Sequence, residues 1–135
     1  MPTPDLTHDY LSEVAKACDL CLKPWRHSVI NDSINHTFPL DDKSIDLTLR
    51  VECRDKDGKR LKENDFEIEI FRSGADLSIT LSWSFFLDRP ILWHGKHSVW
   101  MDSKTGRQST SPTEASNMES LARRLRSSFL SDERN

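Results

Sequence analysis

The chain has 135 residues, 36% of them hydrophobic and 30% charged, with a formal net charge of -3. This length and apolar content supply one modest core, so residues 1–135 are read as a single soluble α+β domain with frayed tails at 1–4 and 131–135. The negative balance excludes a global positive field that would draw the chain onto nucleic acid or anionic lipid, and no apolar run reaches the roughly 20 residues of a membrane span.

Met1-Pro2-Thr3-Pro4-Asp5 lacks the basic and apolar regions of a secretory signal, which makes the cytoplasm the expected compartment. The odd set of Cys18, Cys21 and Cys53 is read as reduced thiols. The glycosylation patterns at Asn31 and Asn35 matter only in a compartment that this reading excludes.

From about Asp5 to Leu22, the residues Tyr10, Leu11, Val14, Ala17, Cys18 and Cys21 recur at steps of three and four. That spacing predicts a helix with one apolar stripe, closed by Pro24. Trp25, His27 and Val29 alternate with polar or apolar neighbours before a turn signal at Asn31-Asp32-Ser33, which suggests a short edge strand.

The clearest strand follows. Ile45, Leu47, Leu49, Val51 and Cys53 take one face, and Asp46, Thr48, Arg50, Glu52 and Arg54 take the other. After the turn cluster Asp55-Lys56-Asp57-Gly58, a second strand alternates Phe66, Ile68 and Ile70 with Glu67, Glu69 and Phe71, so that Arg50 or Arg54 is expected across from Glu67 or Glu69.

Ser73-Gly74-Ala75-Asp76 leads into a third strand with Leu77, Ile79, Leu81, Trp83 and Phe85 inward and the hydroxyl row Ser78, Thr80, Ser82 and Ser84 outward. The runs Ile91–His94 and His97–Met101 flank Gly95-Lys96, which reads as a two-residue hairpin turn with His94 facing His97. Gly106 closes a further turn in a left-handed conformation. Ser111-Pro112-Thr113-Glu114 has the form of a helix start, and Met118, Leu121, Ala122, Leu125 and Phe129 carry the stripe of a helix ending near Leu130. The order of helix, five or six strands in an antiparallel meander, then helix, predicts both helices on one sheet face.

Cys18-Asp19-Leu20-Cys21 has a spacing shared by zinc and redox sites, with His27, His36 and Cys53 as further candidates. No second closely spaced ligand pair accompanies it, and the cysteines lie on or beside the apolar stripe. They are therefore read as buried thiols, with no metal and no cofactor expected. Asp55-x-Asp57-Gly58 lacks the terminal glutamate of a calcium loop and is read as a turn. Nucleophile elbows, phosphate-binding glycine loops and His-Glu metal motifs are missing.

Alternation places Trp83 and Trp93 inward and Trp100 outward. Trp100, Phe71 and the hydroxyl row around Ser82 would then form a weakly charged platform on the helix-free face, with His94 nearby. The leading expectation is a noncatalytic interaction or accessory protein that presents this platform to another protein or to its own copy. The alternative is a small-molecule binder or small enzyme with a His94/His97 pocket. Arg107, Arg123, Arg124 and Arg126 form a candidate contact for phosphate or an acidic protein, against the ordinary reading of a solvated face, and without a basic net charge the expected partner is a protein rather than nucleic acid or membrane.

Overall fold

The computed structural model describes residues 6–32, 44–112 and 115–131, the side chains of 6–10, 44, 45 and 131 excepted. Ser33, Asn35, His36, Thr113 and Glu114, and the side chain of Tyr10, lie outside the described set. The elements are α1 (Leu6–Cys21), β1 (Arg26–Asn31), β2 (Ser44–Arg54), β3 (Phe66–Ser73), β4 (Asp76–Trp83), β5 (Ile91–His94), β6 (Ser98–Met101) and α2 (Ala115–Ser131). The six strands form one antiparallel sheet in sequence order, a meander with a helix before it and a helix after it, so the fold is α+β as the pattern predicts.

The register explains why alternation on single strands adds up to one core. Leu49, Ile68, Leu81, Leu92 and Trp100 are successive cross-strand partners from β2 to β6. A second row runs Leu47, Ile70, Ile79, His94 and Ser98. Both rows take the face where Val14, Ala17 and Cys18 of α1 and Met118, Leu121, Ala122, Leu125 and Phe129 of α2 are buried with them in one cluster. Each fully buried Leu, Ile or Phe contributes about 1.5–3 kcal/mol relative to exposure, so these rows hold the sheet to the helices. Ser128 Oγ of α2 also donates to Glu13 Oε2 of α1 at 3.2 Å.

Arg50 pairs with Glu67 in register, as charge alternation predicts. Between β2 and β3 the chain turns at Gly58, whose φ of 91° is left-handed, while Asp55 Oδ1 accepts from the amides of Asp57 and Lys59. A single 3-10 turn, Lys62–Asn64, then delivers Asp65 to the sheet.

Three expectations are corrected. β4 ends at Trp83, so Phe85 is 59% exposed instead of inward. Trp93 and Trp100 take opposite faces in the reverse sense: Trp93 is 39% exposed and Trp100 only 5%. Leu81 holds Leu92 in the core row, which turns Trp93 outward and brings Trp100, opposite Leu92, inward. Finally, His94 pairs with Ser98, so the β5–β6 connection is Gly95-Lys96-His97 and the two histidines do not face each other.

Candidate functional site

The helix-free face is built from the residues that alternate with the core. One row reads Thr48, Glu69, Thr80, Trp93 and Val99, and beside it lie the partners Phe71 and Ser78. Charge is concentrated on β2 and β3, in Asp46, Arg50, Glu52, Glu67 and Glu69, while β4 contributes Ser78, Thr80 and Ser82. β5 and β6 contribute Ile91, Trp93, Val99 and Met101. The face therefore grades from charged, through hydroxyl, to apolar.

Trp93 is seated by Gly95. A Cβ at Gly95 would stand 2.6 Å from the far edge of the indole, so only glycine admits the ring there. The glycine serves close approach and not a left-handed turn. Phe71 is 52% exposed on the same face. Past the end of β4, Phe85, Phe86 and Leu87 are also exposed, and the Arg89 guanidinium stacks over Trp83 and Phe86 at 4.8 and 4.6 Å from the ring centroids. Ser82 lines a depression of about 370 Å³ together with Arg50, Glu67, Phe85 and Leu87.

Of the sequence-predicted contact residues, Phe71 and Ser82 lie on this face. Trp100 does not: its indole N–H donates to Glu119 Oε1 of α2 at 3.0 Å. His94 is on the helix side too, with its Nδ1 2.9 Å from Ser98 Oγ. Burial, and then the charges of Arg126 and Arg123, hold His94 below the ordinary histidine range. His94 lines a cleft of about 570 Å³ between the β5–β6 turn and α2 with Lys96, His97, Ser98, Arg123 and Arg126. The arginine cluster read from the sequence is thereby divided. Arg124 instead exerts its charge on Cys21, and Arg107 closes the turn at Asp102 through its carbonyl.

Burial sets the character of the thiols, Cys18 and Cys53 being buried and Cys21 half-buried. Cys18 is fully buried and its pKa is pushed far up by burial and by the charge of Asp19. Cys53, also buried, is raised to about 11, chiefly by burial. His27 is buried beside Cys53, its cross-strand partner, with Nδ1 3.1 Å from Asp19 Oδ1 and Nε2 without a hydrogen-bond partner. Among the described residues, no group of three or more His, Cys, Asp or Glu side chains is placed to hold a metal ion. None of the described helices is long and apolar enough to cross a membrane.

Asp65 and Arg72 are buried charges that sequence reading missed. Asp65 is 2% exposed and accepts from the two terminal guanidinium nitrogens of Arg60 at 2.8 and 2.7 Å, and from the Cys53 amide at 2.8 Å. Burial works to raise its pKa, but the bonds from Arg60 and Cys53 prevail and hold it low. Its sequence context, a polar loop, carries no signal of this role.

A family model described as a domain of unknown function, DUF8659, matches residues 11–128. No curated protein and no solved structure matches the chain. The chain belongs to that family, whose description assigns no activity.

Proposed function

We propose that this member of DUF8659 is a noncatalytic interaction protein that receives another protein on the helix-free sheet face. One observation carries the reading: Trp93 and Phe71 stand exposed on adjoining rows, with Ser78 and Thr80 between them and the carboxylates of Asp46 and Glu69 beside Phe71, on the face that no described helix covers. Exposed aromatics gathered beside uncharged polar groups give a partner apolar area at low desolvation cost, and tryptophan is prominent among interface anchors. Phe85 and Leu87 are further exposed apolar side chains past the end of β4, beside Ser82. The fitting partner surface is apolar at its centre, with charges at its margin to meet Arg50 and Glu67. Three free cysteines support a reducing compartment, and the reading places the protein in the cytoplasm.

Site-specific photo-crosslinking tests this in cells. A benzophenone side chain at position 71 or 93 should capture one defined protein, whereas the same group at position 107 should not. Equal labelling at all three positions, or none at 71 and 93, would refute the assignment.

A further inference from the structure

The β5–β6 turn and α2 bring cationic side chains together on a chain whose net charge is -3. Lys96 and His97 come from the three-residue turn, and Arg123 and Arg126 come from one face of α2, three residues apart. Ser98 and Ser127 add hydroxyls, and no carboxylate lines the cleft among the described residues. Like charges that line one cleft repel each other, and an anion relieves that repulsion. Arg126 Nε is buried without a hydrogen-bond partner, a donor whose cost would be offset by an acceptor.

The ligand class follows from charge, donor geometry and size. Two guanidinium groups and an ammonium offer more charge and more N–H donors than a single carboxylate can use, and they match the oxygens of a phosphate dianion. The cleft is open to solvent and leaves room for a body attached to the phosphate. Leu130 is the one apolar side chain in the lining, so the remainder of the ligand is polar.

We propose that this cleft binds a small phosphate ester with a polar, polyol-like body, held by Lys96, Arg123 and Arg126. The site shares no residue with the sheet-face platform and stands independently of it. Calorimetric titration of the full chain with glucose 6-phosphate, inorganic phosphate and glucose tests it. The ester should bind, inorganic phosphate should bind roughly tenfold more weakly, and glucose should not bind. Lys96→Gln and Arg126→Gln should each weaken ester binding about tenfold or more. Lys96 is on an exposed turn, so its substitution leaves the fold intact and keeps the test decisive if the Arg126 variant unfolds. Phosphate binding as tightly as the ester would retain the anion site and overturn the ester assignment. No binding of either phosphate, or binding unchanged by Lys96→Gln, would overturn the site. A short single-stranded RNA that binds more tightly through Lys96 would overturn the small-molecule assignment.

Discussion

Trp100 donates its indole N–H to Glu119 Oε1 across 3.0 Å, which ties the last strand of the sheet to the opening turns of α2. The ring is also the end of a core row that begins at Leu49. Trp100→Ala should therefore cost about 3–5 kcal/mol, whereas Glu119→Ala, which removes the acceptor alone, should cost about 1 kcal/mol. Urea denaturation measures both, and a near-neutral Trp100→Ala would contradict the packing.

Trp93 should behave as the opposite case. Trp93→Ser should lower the denaturation midpoint far less than Trp100→Ala does, and should remove the larger share of the acrylamide-accessible fluorescence, leaving that of the partly exposed Trp25. Gly95→Ala should displace the indole, because the added carbon meets its movable far edge at 2.6 Å, and should shift Trp93 emission without unfolding the chain. Retention of the parent emission would show that the ring does not rest there.

Arg60 and Asp65 are a hydrogen-bonded pair whose acid is buried and whose base is partly exposed, at 3% and 25% side-chain exposure. Arg60→Ala strands the carboxylate and should cost about 3 kcal/mol or more. Asp65→Ala removes the partner of Arg60 and also leaves the Cys53 amide without its acceptor, for a comparable loss. The double variant should lose much less than the two added together. Strict additivity in denaturation would mean that the two side chains do not act as a unit.

Thiol titration should resolve the three cysteines by environment. Cys21 is half-buried, while Cys18 and Cys53 are buried and their thiols are raised by burial. Cys21 should react first with an aromatic disulfide reagent at neutral pH, and the other two should follow only on unfolding. Rapid reaction of all three would contradict the core placement.

Acid should destabilise the fold through two histidines. Burial holds His27 low against the pull of Asp19, and burial with Arg126, Arg123 and His97 holds His94 low against Glu119. The unfolded chain therefore takes up protons first as pH falls through about 6.5, so stability is full above that pH and declines below it, toward the folded-state values. The melting temperature should fall between about pH 7.5 and 5.5, and His94→Gln should flatten part of that slope. An unchanged slope in His94→Gln would remove His94 from the account.

Much of the fold was legible because it rests on local periodicity. Ile68 and Ile70 alternate with Glu67 and Glu69, and Val14, Ala17 and Cys18 recur at helical steps, so face and element type follow from neighbours in the chain. The same rule failed at Trp93 and Trp100. In Ile91-Leu92-Trp93-His94 the fully apolar phase is Ile91 and Trp93, so alternation alone turns Trp93 inward, and only pairing with Leu81 on β4 selects Leu92 and His94 for the core side. Phe71 and Ser82 were legible as open-face residues because β3 and β4 alternate cleanly; His94 was not, because its face depends on that same pairing.

What the sequence alone determined is the α+β order of helix, antiparallel strands and helix, since hydrophobic periods and turn residues act over a few positions. Tertiary structure decided which tryptophan is exposed, which arginines of α2 meet the β5–β6 turn, and that Asp65 is buried against Arg60. Those outcomes depend on strand register and on side chains distant in the chain, where a one-residue change in turn length moves every following side chain to the opposite face.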